Sequence, residues 1–176
     1  MLVIFSHGKE TGPRGRKIQS LTKVAHDAGA QTMSIDYREY PAGVYHDHNA
    51  PDEANRRIQQ LLSTQLPEHD KLILVGSSMG GNVSAVAASM MHVDGLFLLA
   101  PALTMPGYVQ VEPKTDAQHT FIVHGWRDEV IPWEHSAKWA HNAQCTLQLV
   151  DSDHGLDSAL PFIESSFRQF IKTCEA

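Results

Sequence analysis

Residues 72–81 read LILVGSSMGG and are the most informative part of the sequence about the fold. The apolar run 72–75 is typical of a strand that is buried on both of its faces. The motif G-x-S-x-G follows directly at residues 76–80, and helical periodicity begins after it. One face of that predicted helix carries Val83, Val86, Ala87 and Met90. A G-x-S-x-G motif between a strand and a helix is the context in which its serine can act as a nucleophile.

The glycines of this motif have a physical role. A tight turn from strand to helix brings the two backbones too close for side chains, and it holds the serine in a strained conformation. The register of the motif selects Ser78 rather than Ser77 as the candidate nucleophile. A Gly/Ser-rich helix cap without chemistry is the alternative interpretation of the same residues.

Outward from this stretch, short apolar runs alternate with segments of helical period. The further predicted strands cover residues 2–5, 32–35, 96–99, 120–123 and 146–150. The further predicted helices lie near residues 18–28, 54–62, 137–140 and 163–171. About six strands with crossover helices predict an α/β fold with a mainly parallel sheet and helices on both faces. In such sheets ligands bind beyond the carboxyl ends of the strands, so the residues there are the functional candidates.

The composition fits one globular domain over residues 1–176. The formal net charge of -6 argues against a nucleic-acid partner, because phosphate binding needs a basic surface. With only Cys145 and Cys174, no disulfide framework is expected. The apolar residues 1–5 are too short for a signal peptide, and no apolar run is long enough to span a membrane. We therefore expect a cytoplasmic protein.

A serine nucleophile needs a base, and position selects one of the 11 histidines. His154 follows the last predicted strand and precedes the last helix, at the sheet edge that carries Ser78. His124 also ends a strand, but the adjacent Gly125 suggests a role in stabilising a turn. The order Ser, Asp, His along the chain is the one expected of this arrangement.

An acid must orient the base, and we expect it after the preceding strand. Asp128 lies there, in the segment HGWRDEVIP at residues 124–132. Its carboxylate would accept the second imidazole N–H and stabilise the imidazolium. Weaker alternatives are Glu129, Asp151 and Asp153, and Asp128 itself could be a helix-capping aspartate of a turn.

Two backbone N–H groups are expected to bind the oxyanion of a tetrahedral intermediate. One is that of Met79, the residue after the nucleophile. The other should come from the loop after the first strand, SHGKETG at residues 6–12, and Lys9 is its expected contributor.

Four segments in this order, SHGKETG, GSSMGG, HGWRDEVIP and DHGL, resemble the α/β-hydrolase superfamily. Within it, the chain is similar to small lid-less esterases and thioesterases of the dienelactone-hydrolase and acyl-protein-thioesterase kind. The resemblance implies a triad of Ser78, Asp128 and His154, oxyanion donors at Met79 and Lys9, and no cofactor or metal. It also implies a small-molecule ester or thioester as the substrate.

The chain departs from the family in two respects. It starts at what would be the family's third strand, so a minimal sheet is expected, and Glu10 stands where many relatives have a small residue. Residues 100–118, where the family's lid enters, are too few for a helical cap. We expect an open site with an apolar acyl pocket. Its candidate lining residues are Leu103, Met105, Tyr108, Trp126 and Ile131.

The leading hypothesis is cleavage of a carboxylic ester or thioester through an acyl-serine intermediate. Its main alternative is an inactive hydrolase fold that serves as a binding module. The spacing of residues 8–15 fits neither of the common glycine-rich phosphate-binding motifs, so a phosphate site there is a weak alternative. A metal site at His46-Asp47-His48 is another weak alternative. The basic residues Arg14, Arg16 and Lys17 read as the solvated start of a helix.

Overall fold

The computed structural model describes residues 1–41, 43–105, 108 and 112–176. Its six strands are β1 (Leu2–Ser6), β2 (Gln31–Ile35), β3 (Leu72–Ser77), β4 (Gly95–Leu99), β5 (His119–Gly125) and β6 (Thr146–Val150). Its five α-helices are α1 (Arg16–Asp27), α2 (Glu53–Ser63), α3 (Met79–Ala87), α4 (Trp133–Ala143) and α5 (Leu160–Glu175). A short 3-10 turn, Asp157–Ala159, precedes α5.

The six strands form one sheet in the order β2-β1-β3-β4-β5-β6, and every neighbouring pair is parallel. The predicted mainly parallel sheet is thus confirmed. Because β3 lies next to β1 and β4, the loops after these three strands meet at one edge. The strand order changes direction around β1 and β3, which is where parallel α/β sheets open a crevice for ligands.

Two apolar layers cover the sheet. On one face, α1 and α5 pack through residues such as Leu21 and Phe167. On the other face, α2, α3 and α4 pack through residues such as Leu61, Val83 and Trp139. Burial on both sides explains why β1, β3 and β4 have continuous apolar sequences rather than alternating ones.

The structure corrects one detail of the predicted helix after the G-x-S-x-G motif. Helix α3 ends at Ala87, so Met90 does not share a helix face with Val83 and Val86 as predicted, and its side chain is 57% exposed. The described residues between β4 and β5 form neither a helix nor a strand, in line with the absence of a cap domain. Within the described part of the chain, no helix is both long and apolar enough to span a membrane.

Candidate active site

Ser78 lies between β3 and α3 in a strained backbone conformation. Its φ is 55° and its ψ is -121°, which a residue other than glycine rarely adopts. A Cβ on Gly76 would overlap the backbone of Gly80, and a Cβ on Gly80 would overlap the carbonyl of Ser6. The glycines therefore allow β3, α3 and β1 to approach closely enough for the sharp turn to form. The turn is also held by a 3.0 Å hydrogen bond from the Ser78 N–H to the Leu99 carbonyl.

The structure brings Ser78, His154 and Asp128 into one hydrogen-bonded chain. The Oγ of Ser78 lies 3.0 Å from Nε2 of His154. The Nδ1 of His154 lies 2.7 Å from Oδ2 of Asp128. Since the carboxylate can only accept, Nδ1 carries the proton and Nε2 is free to accept the serine proton. These contacts join residues that are 76 and 26 positions apart.

The carboxylate of Asp128 is fully buried and accepts four hydrogen bonds. Its Oδ1 accepts the N–H groups of Val130 and Ile131, and its Oδ2 accepts from His154 and His124. Burial by itself raises the pKa of Asp128, but the donors outweigh it, first the Ile131 N–H and then His154, and hold that pKa below its usual value. Asp128 is therefore an anion at neutral pH, aimed at His154.

His124 is the residue of this site whose role sequence reasoning missed. Its imidazole is fully buried at the end of β5, and besides contacting the turn that follows this strand it contacts the acid. Its Nε2 lies 3.0 Å from Oδ2 of Asp128 and 3.0 Å from the Ile131 carbonyl, and its Nδ1 lies 2.7 Å from Oγ of Ser136. Two acceptors at Nε2 place the proton there, so Ser136 donates to Nδ1. Burial lowers the pKa of His124, so the ring is a neutral donor to the acid.

The loop after β1 lies directly against the turn between β3 and α3 that carries Ser78, which we call the elbow. The predicted oxyanion donor requires this proximity. A Cβ on Gly8 would come within 3.5 Å of the Ser78 Cβ. Lys9 follows Gly8 and is half-buried. Met79 is the first residue of α3, and the N–H groups of a first helical turn have no acceptor within the helix. Met79 and the residue before Lys9 therefore border Ser78, and the oxyanion role of the Met79 and Lys9 N–H groups stays a prediction.

The side chain of His7 links the same loop to Tyr37. Its imidazole is fully buried, and its Nε2 accepts the Tyr37 N–H at 3.1 Å. The proton is then on Nδ1, which donates to the Gly8 carbonyl at 2.7 Å. Burial lowers the pKa of His7 to about 4, so the ring stays neutral over the physiological range. The sequence offered only its place after a buried strand as a signal.

A profile of the alpha/beta hydrolase domain matches residues 1–163. The chain belongs to the α/β-hydrolase family. The search of curated proteins finds no match.

Several solved structures have a similar fold. A protein of the alpha/beta hydrolase superfamily from Xanthomonas campestris is 26% identical, with 98% of both chains covered and a TM-score of 0.80. A second Xanthomonas campestris protein, described as a serine hydrolase without a lid, is 19% identical over 98% of this chain and 81% of that one, with a TM-score of 0.72. The esterase Est1E from Butyrivibrio proteoclasticus is 17% identical over 98% and 87%, with a TM-score of 0.75.

The predicted substrate-binding residues of this hydrolase differ in exposure. Leu103 and Ile131 are buried, at 0% and 2%, whereas the Trp126 side chain is 50% exposed and stacks edge-on against Trp133. Tyr108 is partly buried, and burial raises its pKa. The charge of Arg57 acts to lower that pKa and the charge of Glu53 to raise it. Met105 is partly buried. The assignment of these residues to an acyl pocket stays a prediction.

A small cavity of about 170 Å³ lies between the loop after β1, the elbow and the turn after His154. Its lining includes Gly8, Ser77, Lys17 and Gly155. Lys17 is not merely a solvated residue at a helix start, since its ammonium approaches the His154 carbonyl at 3.4 Å. Burial lowers the pKa of Lys17. Arg14 and Arg16, by contrast, are exposed as predicted.

The weaker candidates from the sequence lie outside the hydrogen-bonded chain of Ser78, His154 and Asp128. The alternative acids Glu129, Asp151 and Asp153 are exposed, and Asp151 pairs with Arg127 at 3.1 Å. In the weakly indicated metal site, the ring of His46 bonds to the Tyr40 carbonyl. Across the described residues, no group of three or more His, Cys, Asp or Glu side chains could hold a metal ion.

Proposed function

We propose that this protein is a serine hydrolase that cleaves a carboxylic ester or thioester of a small molecule through an acyl-serine intermediate. The observation that carries the proposal is the hydrogen-bonded chain from Asp128 through His154 to Ser78, with distances of 2.7 and 3.0 Å, on a strained elbow. A carboxylate, an imidazole and a hydroxyl in this order activate the serine for acyl transfer.

In the first half-reaction, Oγ of Ser78 attacks the acyl carbon while Nε2 of His154 takes the hydroxyl proton. The oxyanion that forms accepts hydrogen bonds from the N–H groups of Met79 and Lys9. His154 then gives its proton to the departing alcohol or thiol, and the acyl group remains on Ser78. In the second half-reaction His154 takes a proton from water, whose oxygen attacks the acyl carbon. His154 then returns that proton to Oγ of Ser78 as the bond between Oγ and the acyl carbon breaks, and the acid product leaves. Asp128 stays ionised throughout and stabilises the imidazolium.

Other properties of the chain fit this proposal. We propose that residues 1–176 act as one domain, because a single sheet and two apolar layers run through the chain. We also propose a cytoplasmic location. Cys145 and Cys174 are free thiols, and burial raises their pKa values to about 11 and about 12, so both are protonated at neutral pH.

A fluorophosphonate probe tests the proposal, because it reacts with activated serines. We expect one adduct on the folded protein, located on Ser78 by peptide mass spectrometry. The adduct should be absent after heat denaturation and in Ser78→Ala, while Ser77→Ala should still react. A separate, unlabelled sample would next be assayed with p-nitrophenyl acetate and a matched thioester, and prior labelling should abolish its turnover. A folded protein without any adduct would contradict the proposal and favour the binding module.

A further inference from the structure

The arginine beneath the loop after β1 is the largest fully buried side chain of the described residues. Arg57 lies on α2, and its guanidinium has no exposed surface. A buried charge is costly unless it is paired and all its donors find acceptors. The carboxylate of Glu53, one helical turn earlier, supplies the opposite charge at 2.5 Å from Nε of Arg57. The Arg57 Cζ also lies 5.3 Å from the centre of the Tyr37 ring.

The remaining donors of Arg57 reach three successive carbonyl groups in the loop. Its NH1 donates to His7 and to Gly8, both at 3.2 Å. Its NH2 donates to Lys9 at 3.4 Å. The planar fork of a guanidinium can hold several acceptors in a fixed relation, which an ammonium cannot do. Arg57 therefore fixes the backbone of the loop rather than one of its side chains.

The Gly8–Lys9 peptide is the important one, because its N–H is the predicted oxyanion donor. This peptide is trans, so its C=O and N–H point in opposite directions. The Gly8 carbonyl is held by Arg57 at 3.2 Å and by His7 at 2.7 Å. With the carbonyl fixed toward α2, the Lys9 N–H is fixed on the side away from α2. A Cβ on Gly8 would come within 3.5 Å of the Ser78 Cβ, so the elbow borders this peptide.

We propose that Arg57 is a positioning residue that aims the Lys9 N–H at the oxyanion formed on Ser78. The inference rests on the proposed serine-hydrolase function and extends it. Because Glu53 neutralises the charge of Arg57, its role is to orient the peptide rather than to supply a net positive charge. A preorganised donor matters because no reorganisation is then needed as the transition state forms. Arg57 would therefore affect the rate of acyl transfer more than the binding of substrate.

Arg56 provides a matched control. It is the neighbour of Arg57 on α2 and also pairs with Glu53, at 2.8 Å. It contacts the carbonyl of Tyr37 and not the loop after β1. We would compare Arg57→Lys, which keeps the charge but loses the fork, with Arg56→Lys. The double variant Glu53→Gln/Arg57→Gln removes both charges together and covers the case in which a single change prevents folding.

Three quantities separate positioning from simple structural support. Titration with a fluorophosphonate counts active sites, steady-state assays with p-nitrophenyl acetate give kcat and KM, and inhibition by a trifluoromethyl ketone reports oxyanion binding. We expect Arg57→Lys to lose about ten- to hundredfold in kcat per titrated site, with KM within about twofold. The Ki of the ketone should rise by the same factor. Arg56→Lys should change each value by less than about twofold.

A purely structural role would give a different result. The titrated fraction would fall in Arg57→Lys and in the double variant, while kcat per titrated site and Ki stayed at the values of the unaltered protein. That result would overturn the inference and leave the serine-hydrolase proposal intact. If the unaltered protein itself formed no adduct on Ser78, the proposed function would fall, and this inference with it.

Discussion

Two buried histidines support opposite halves of the site, and they do so in different ways. His7, after β1, donates to the backbone carbonyl of Gly8 in the loop that carries the predicted oxyanion donor. His124, at the end of β5, donates to the carboxylate of Asp128. Burial lowers the pKa of both rings, so each serves as a neutral donor with a defined tautomer.

The charges beside the two rings differ in sign. Arg57 adds to the lowering of the His7 pKa, whereas Asp128 acts in the opposite direction on His124. We call the loop after β1 with His7 and Arg57 the oxyanion half, and Asp128 with His124 the acid half. The oxyanion half holds a peptide group beside a buried cation, whereas the acid half holds a buried anion. Both halves meet at Ser78, so the comparison can be tested by disturbing one half at a time.

The largest effect is expected from Asp128→Asn, which breaks the acid half. The amide cannot replace the carboxylate as acceptor for both imidazoles, so the tautomer of His154 is no longer fixed. We expect kcat for p-nitrophenyl acetate to fall by about 10³- to 10⁴-fold. Asp153→Asn, a change at an exposed neighbour of His154, is the control and should stay within about twofold. A loss of less than tenfold in Asp128→Asn would contradict the assigned acid.

In the oxyanion half, His7→Gln should remove part of the acid sensitivity of the fold. The pKa of His7 is about 4 in the folded protein and about 6.5 when unfolded, so the unfolded chain binds more protons between these values. The free energy of unfolding therefore decreases as pH falls from 6.5 to 4, by up to about 3 kcal/mol from this residue.

Urea unfolding at pH 7 and at pH 4 measures this difference. The decrease between the two pH values should be smaller in His7→Gln than in the unaltered protein. His26→Gln changes an exposed histidine and should leave the decrease as it is. An equal decrease in all three proteins would show that His7 is not buried in its neutral form.

A smaller effect is expected from His124→Phe, which keeps a ring at the end of β5 but removes a donor to Asp128. Charge-assisted hydrogen bonds contribute about 1.5–3 kcal/mol, so we expect about a ten- to hundredfold loss in kcat/KM. Unchanged KM would show that orientation of the acid, rather than substrate binding, is affected. His141→Phe on the exposed face of α4 is the control. Activity equal to that of the unaltered protein would remove His124 from the acid half.

The smallest effect is expected from Ser136→Ala, which leaves Nδ1 of His124 without its donor. An unsatisfied buried acceptor costs about 1–3 kcal/mol, so the free energy of unfolding should fall by that amount. Ser84→Ala is a matched control, since the Ser84 hydroxyl is buried and has no hydrogen-bond partner among the described residues. Ser84→Ala should be neutral or slightly stabilising. Equal losses in both variants would indicate packing rather than the hydrogen bond to His124.

Several features were predictable because their signals are local. The strand bounds of β6 agree at both ends with the sequence prediction, and β1 differs by a single residue, Ser6. Gly29, predicted to close the first helix, has a φ of +80° just beyond α1. The prediction for Met90 was wrong. Apolar residues at helical spacing continue past Ala87 in the sequence, but helix α3 ends there and Met90 is exposed.

The buried pair of Glu53 and Arg57 left a signal that could have been used. Residues 54, 57, 58 and 61 lie on one stripe of α2, and they include an arginine among apolar side chains. An arginine on the apolar stripe, one turn after a glutamate, is typical of a buried ion pair. Which carbonyl groups that arginine holds could not be predicted, because they lie about 50 residues away, in the loop after β1.

The alternation of strands and helices and the position of the G-x-S-x-G turn follow from the amino-acid sequence. These depend on hydrophobic periodicity and on glycines needed within a few residues of each other. Only the folded structure shows which ring nitrogens carry protons and which groups hold the loop after β1. Each of these depends on distances and burial set by the packed sheet, where residues far apart in the chain become hydrogen-bond partners in a low dielectric.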